Sequence, residues 1–565
     1  MKKKSFYLAV AVLSAVILNS CNGLKKMEKY IEELGAKASP NPLELHGDSV
    51  EISITGKFPP KYFAKKASVE ATPVLVYEGG ETKYKMDEYK GEQAAGNGKV
   101  IPYKEGKSFS YTDRVAYTPA MEVSKLELRI HGVQGKKMAD FAPVPVADGV
   151  IITPLLQKTD GKVLTTTDRF VPVTPKSMEA VINFDYNSSA LKPAELKDAD
   201  IAELGKFLDS CSRNPKLVIK TIELVSYASP EGEMLLNDDL ANERAAAGQK
   251  ALNDLIKKMK LTTVTEGMVT LSPKGEDWEG FRAAMEKSNI DDRNIIINVL
   301  QMTSDLQQRE TEIKNISKTY TQIQKDIFPS LRRCRIVVKY DEQGYSDAEL
   351  RAIGTSNPSV LKYEELMRAG SLVDDLNQKV SIYSAAAAKP EADYRACTNL
   401  GVAYYMLNKT GDADTQFKKA YGMAKNKETA NNLGVATHIS GDRDGAMKYY
   451  NEAGSSSETN YNKGLISIQK GDYGTAVSNM SGFKTFNSAL AKLLNKDYSG
   501  AKADLDASGD KSAMADYLAA VIAARNNDAS AAVTSLKSAV QKDASLAAKA
   551  KRDLEFRNFK DQLTF

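Results

Sequence analysis

The sequence predicts a multidomain chain: a β-sandwich-rich N-terminal region, a central α+β domain and an all-α solenoid of helical hairpins. Three observations carry this. Apolar and polar residues alternate within 40–172, strands and helices alternate over 177–342, and an Asn-Leu-Gly motif returns with Gly-Asp turns over 360–550. The chain has 565 residues, room for about three to five domains. Its 77 Lys+Arg against 73 Asp+Glu leave a net charge of +4, so no strong field marks a nucleic-acid partner. Three histidines, His46, His131 and His438, stand too far apart for an HExxH site. Four cysteines without a CxxC pair argue against structural zinc and against a disulfide scaffold. Neither a metal nor a cofactor is expected.

Residues 1–20 read as a sorting signal. MKKK is a basic start, and residues 6–18 form an apolar core too short for an ordinary spanning helix. Leu18-Asn19-Ser20-Cys21 resembles the lipobox of bacterial lipoproteins. That resemblance implies cleavage before Cys21 and acylation of its new N-terminus, and several acyl chains anchor a protein stably. Surface-exported lipoproteins of Bacteroidota resemble one another in an acidic run after the Cys. Here Lys25-Lys26 follows instead, which implies the periplasmic face of the outer membrane. Leu24, Met27, Ile31 and Leu34 recur at helical spacing, so 21–39 is expected to hold the anchor and a packed linker helix.

From residue 40 to 172 the pattern is that of strands. Val50, Ile52 and Ile54 alternate with polar residues, as do Leu126, Leu128 and Ile130, and Val74-Leu75-Val76-Tyr77 is a short buried run. Turn signals separate them at Phe58-Pro59-Pro60, Gly79-Gly80, Gly91 and Gly96-Asn97-Gly98. One or two β-sandwich modules, serving as spacer or docking surface, are expected.

Residues 177–342 carry the most specific pattern. A strand at Ala180–Asp185 leads to a helix through Leu208, then a buried strand at Lys216–Val225 ends in Ser-Tyr-Ala-Ser-Pro-Glu-Gly. An Asn-led helix opens at Asn237, and Arg332–Tyr340 is a last strand. This order resembles the OmpA C-terminal domain, with a longer helical segment from Gly275 to Pro329. The resemblance implies a peptidoglycan-binding fold, in which an Asp and an Arg hold the ammonium and carboxylate of diaminopimelate. Arg244 occupies the Arg position, and Asn237 and Ala245 also match. Ser229 stands at the Asp position and Ala241 at a Ser position. A hydroxyl accepts a hydrogen bond but supplies no charge-assisted pair. Glu231, Asp238 and Asp239 are alternative carboxylates; otherwise Arg244 pairs internally with a helix carboxylate and the domain is structural. Cys211 and Cys334 fall in this domain and form a disulfide only if geometry allows, and Cys397 reads as a buried small residue.

The C-terminal third repeats. Asn399-Leu400-Gly401 returns as Asn432-Leu433-Gly434 and Asn462-Lys463-Gly464, followed by Gly411-Asp412, Gly441-Asp442 and Gly471-Asp472. Lys496-Asp497 and Asn527-Asp528 continue the series, the Asp residues being 30, 30, 25 and 31 apart. An Ala follows four residues later at Ala446, Ala476, Ala501 and Ala532, whereas the first copy has Gln416. This is similar to tetratricopeptide repeats, with a period shorter than about 34. Such a solenoid presents a concave face that docks other proteins. Tyr404, Tyr405, Tyr449, Tyr450 and Tyr461 are expected in the core between helices or along that groove.

No phosphate loop or nucleophile elbow occurs, and no catalytic residue is expected. The reading is a non-enzymatic, lipid-anchored outer-membrane lipoprotein facing the periplasm. Its repeat groove engages an outer-membrane assembly or secretion complex, and its central domain contacts peptidoglycan. A plain peptidoglycan-to-membrane tether is the alternative, and a fimbrial or adhesin accessory protein would need surface exposure.

Overall fold

A computed structural model describes residues 22–564. The signal segment 1–20 and Cys21 lie outside the described residues. The chain forms two compact units: the residues through Thr166 with Asp393 onward, and Thr167–Ala392. The N-terminal strands and the C-terminal repeats thus belong to one unit, although the sequence treats them as separate domains.

In the first unit, two sheets share a core. Ser49–Phe58 pairs antiparallel with Lys37–Ser39, Leu43–His46 and Lys107–Ala116, and Val150–Ile151 adds a parallel edge to Leu43–His46. The seven-stranded sheet runs Lys137–Asp140, Ser124–Gln134, Ser68–Tyr77, Asp87–Gly91, Lys99–Ile101, with Val144–Asp148 and Gly80–Lys83 attached beside it. The expected alternation holds: Val50, Ile52, Ile54, Leu126, Leu128 and Ile130 all point inward and are buried together. The helix Asn22–Lys29 adds Leu24 and Met27 to this core, and the Tyr62 hydroxyl donates to the Met27 carbonyl at 2.7 Å. Gly132 is required where that helix lands, because a Cβ there would stand 2.9 Å from Leu24 Cδ2. The sandwich ends at Ile151, not 172. After a short 3-10 turn at Thr153–Leu156, residues 157–166 contain neither helix nor strand and lie against the repeats.

The repeats are five antiparallel helix pairs among the described residues, beginning with Tyr394–Met406 against Thr410–Met423 and ending with Ala513–Arg525 against Ala529–Lys542. Asp442, Asp472, Asp497 and Asp528 cap their helices, accepting from the main-chain N–H of Gly445, Thr475, Gly500 and Ala531. A left-handed residue precedes each cap, at Gly441, Gly471, Lys496 and Asn527. The first copy departs from the expected register. Gly411-Asp412 falls inside the helix Thr410–Met423, and left-handed Asn408 followed by Lys409 makes the turn. The small residue four positions on is therefore Ala413, not Gln416, and it is buried like Ala446, Ala476, Ala501 and Ala532. A Cβ on Gly401, Gly434 or Gly464 would come within 2.5, 2.5 and 2.8 Å of Phe417, Tyr450 and Met480, so these glycines let each pair close. The array starts at Tyr394 rather than 360 and is finished beyond 550 by Phe556, Phe559 and Leu563.

The second unit holds a four-stranded sheet in the order Val173–Asn183, Arg333–Gln343, Leu217–Ala228, Val269–Glu276. The last of these, whose alternation Pro273 and Gly275 interrupt and which the sequence pattern does not predict, pairs parallel to Leu217–Ala228 at the sheet edge. The helices Ala199–Arg213 and Met234–Met259 cover one face, burying Ile201, Leu204, Leu208 and Leu252 against Ile182, Leu224, Ile336 and Val338. The segment 278–331 forms helices around Phe281, Met285, Ile296 and Phe328. The helices Tyr363–Leu372 and Leu376–Ala387, expected in the repeats, belong to this unit. Among the described residues no helix is long and apolar enough to cross a membrane.

Candidate functional site

Two polar constructions stand out, one in each unit. In the α+β unit, the strand Leu217–Ala228 delivers Ser229 and Glu231 beside the last strand's Arg332, and the helix Met234–Met259 carries Asn237 and Arg244. Arg244 is 0% exposed. Its guanidinium donates to the carbonyls of Ser188, Tyr227 and Asp185 at 3.1, 2.9 and 3.2 Å and lies over the Phe184 ring. These are main-chain acceptors, not a helix carboxylate. Burial, and then the neighbouring Arg332 charge, pull the Arg244 guanidinium down to about 10.

Ser229 is buried and donates to Glu231. Glu231 is the carboxylate beside the Asp position, but Arg332 answers it at 2.7 Å, with both side chains nearly covered. Asn237 donates to Glu276 at 2.8 Å and to the Gly232 carbonyl at 3.3 Å, while Asp238 and Asp239 are exposed. Glu276 also accepts from the Trp278 indole at 2.8 Å, and burial raises its carboxyl above the usual range. Thus the structure brings Ser229, Asn237 and Arg244 into one neighbourhood, but each is already hydrogen-bonded within the fold. Cys211, Cys334 and Cys397 are all free and buried; burial raises their thiols, Cys334 to about 12.

The second construction lies on the repeats. An asparagine stands ten residues before the cap position in four of the five copies: Asn399, Asn432, Asn462 and Asn487. Each meets one residue of the 157–166 segment with both ends of its amide. Asn399 Oδ1 accepts from Thr166 N at 2.8 Å and its Nδ2 donates to Thr166 O at 3.0 Å. Asn432 treats Leu164 the same way, at 2.7 and 2.7 Å. Asn462 pairs with Lys162 at 2.6 and 2.8 Å, and Asn487 with Lys158 at 2.9 and 2.8 Å. The four asparagines are between 0 and 4% exposed, so amide and peptide satisfy each other where water is scarce.

Tyrosines complete the cradle. The Tyr405 hydroxyl donates to the Gly161 carbonyl and the Tyr461 hydroxyl to the Asp160 carboxylate, each at 2.8 Å. Burial, with the Asp160 charge second, pushes Tyr405 up to about 12 and Tyr461 higher still. Lys158 lies 4.4 Å from the Phe486 ring centre and pairs with Asp510, and Lys162 lies 4.7 Å from the Tyr461 ring. Burial works against the Asp510 charge, but the Lys158 and Ser512 hydrogen bonds hold the carboxyl at about 2.

The groove expected to be open for an outer partner is therefore filled by the chain's own segment. Of the five tyrosines expected in the core or the groove, Tyr450 and Tyr461 are fully buried, Tyr404, Tyr405 and Tyr449 half-buried, and Tyr405 and Tyr461 touch the segment. Among the described residues no cluster of side chains with metal-ligand chemistry occurs.

No protein-family model matches the chain, and no curated protein sequence matches it. Among solved structures it is similar to a tetratricopeptide repeat protein of Parabacteroides merdae, at 14% identity over 38% of this chain and 91% of that one, TM-score 0.28. It is also similar to pilF of Pseudomonas aeruginosa, at 18% identity over 38% and 99%, TM-score 0.27. A third is the Cut9-Hcn1 hetero-tetramer of the APC/C, at 13% identity over 59% and 73%, TM-score 0.26. At these TM-scores the likeness carries no argument. The TPR-like hairpin solenoid rests on its own helix pairs, caps and glycine contacts.

Proposed function

We propose that the protein is a non-enzymatic scaffold of the bacterial cell envelope. In this reading it is acylated at Cys21, anchored in the outer membrane facing the periplasm, and organises an outer-membrane assembly or secretion complex. The observation that carries the scaffold part is the asparagine ladder: a face of the solenoid whose polar groups are arranged to hold polypeptide main chain. The envelope part rests on the lipobox-like Leu18-Asn19-Ser20-Cys21 and on the OmpA-like order of the central domain. A plain peptidoglycan tether draws less support, because the Arg244 guanidinium is directed at three carbonyls of its own fold.

The test is cross-linking and co-purification of tagged protein from the envelope of the producing bacterium, beside Cys21→Ala. The expected result is recovery of a stoichiometric outer-membrane protein, with the substitution releasing the scaffold from the membrane fraction. Recovery of no stoichiometric partner overturns the scaffold reading, and unchanged membrane association of Cys21→Ala overturns the anchor.

A further inference from the structure

We propose that residues 157–166 are a displaceable ligand held in cis, and that the groove's second ligand is an extended, lysine-bearing polypeptide segment of a partner. This rests on the scaffold reading and names the chemistry of what the scaffold holds.

The ladder makes its paired bonds with the peptide groups of residues 158, 162, 164 and 166, so it recognises main chain rather than sequence. Pairing at 162, 164 and 166 is pairing at every second residue, the repeat of an extended chain. Any segment that offers N–H and C=O at those positions, and therefore no proline there, meets the same partners. Side chains are read at three positions: the Asp160 carboxylate accepts from the Tyr461 hydroxyl and from Asn487 Nδ2 at 2.8 and 2.6 Å, and two cations are received beside it. Lys158 is received by Asp510 and the Phe486 ring, and Lys162, which also pairs with Asp160 of the segment at 3.2 Å, by the Tyr461 ring.

The hold is of a kind that exchanges. Residues 157–166 are half-buried, with Thr159 and Thr165 exposed, whereas the four asparagines are buried, so the groove is built into the helices and the segment lies on it. Val163 is the apolar side chain that the segment packs against the repeat clusters. The rest of the attachment is hydrogen bonding, whose net worth against water is about 1 kcal/mol per bond, with the Lys158–Asp510 ion pair and the two lysine–ring contacts, part-exposed and worth about as little each. Covalent linkage gives the segment an effective concentration of about millimolar, so a competing segment binds with apparent affinity reduced by the fraction of grooves open. The segment thereby gates the site.

The experiment is fluorescence anisotropy with a labelled ten-residue peptide having the sequence of residues 157–166. It is titrated into the wild-type protein, into Lys162→Pro/Leu164→Pro, and into that variant with Asn432→Ala and Asn462→Ala added. The two prolines remove the N–H donors to Asn462 and Asn432. The expected result is peptide binding at least about tenfold tighter to the proline variant than to wild type, and loss of the gain in the four-fold variant. A folded proline variant that binds no tighter, or binding that persists without the asparagines, overturns the proposal. Should the proline variant fail to fold, trypsin acts on the native wild-type protein instead. Cleavage after Lys158 or Lys162 while the helical signal is intact is expected. Cleavage only in step with loss of that signal overturns the proposal. Both readouts use the isolated protein, so they fail independently of the scaffold reading, which fails in co-purification.

Discussion

Truncating Arg244 separates a ligand residue from a structural one. Arg244→Ala removes the three hydrogen bonds that a fully buried charged donor makes to the carbonyls of Ser188, Tyr227 and Asp185. A hydrogen bond to a charged group nets about 1.5–3 kcal/mol, so the substitution costs the α+β unit about 4 kcal/mol or more. In a unit of this size each kcal/mol moves the midpoint by about 2–4 °C, which predicts a fall of roughly 8–16 °C. The chain's single tryptophan, Trp278, sits in this unit against Phe281 and beneath Arg309, so its fluorescence during a thermal ramp reports this unit alone. Arg244→Lys keeps the charge but lacks the fork that reaches three carbonyls, and a similar fall is expected. The reasoning is refuted if Arg244→Ala leaves the Trp278 midpoint within about 2 °C of wild type while abolishing co-sedimentation with peptidoglycan sacculi. That pair of results would make Arg244 a ligand residue.

Further expectations follow from the packing. Gly434→Ala places a Cβ 2.5 Å from Tyr450, and overpacking of this kind costs about 1–3 kcal/mol, read as a lower urea midpoint of the helical signal. Glu276 has its folded pKa raised by burial, so the stability it contributes is present below the ordinary glutamate value and lost as pH rises through the folded value. A Trp278 fluorescence titration with midpoint above 4.5 is expected, absent in Glu276→Gln; a midpoint at or below 4.5 contradicts the burial. The buried thiols of Cys211, Cys334 and Cys397 are expected to resist a thiol reagent in native protein and to react after denaturation, and a disulfide between Cys211 and Cys334 would contradict the fold.

The alternating strands, the order of the central domain and the helix pairs were legible because each depends on a local period. The strand Val269–Glu276 was not, since Pro273 and Gly275 break its pattern and only its edge position tolerates the proline. The first repeat misled through a Gly-Asp pair lying one turn too late; the turn residue there is Asn408, which adopts the left-handed conformation a glycine usually supplies. Most of the groove was visible without being understood. Asn399, Asn432 and Asn462 belong to the recurring motif, and asparagine is a poor helix former whose buried amide demands partners. Asn487 completes the set once position is counted back from Asp497. Nothing in residues 157–166 themselves announces where they lie, because the ladder reads main chain and leaves no pattern of side chains. For Arg244 and Ser229 the sequence gives neighbours but not direction: three carbonyls from distant segments claim the guanidinium, and Arg332 claims Glu231.

The account turns on residues 157–166 lying in the ladder, and residue-resolved amide hydrogen exchange tests this most directly. The N–H groups of Lys162, Leu164 and Thr166 donate to Asn462, Asn432 and Asn399, whereas those of Val163 and Thr165 have no acceptor among the described residues. The account predicts alternation, with protection at 162, 164 and 166 at least about tenfold above that at 163 and 165, collapsing at 164 in Asn432→Ala. Uniformly fast exchange across the segment, or protection indifferent to Asn432→Ala, would contradict it.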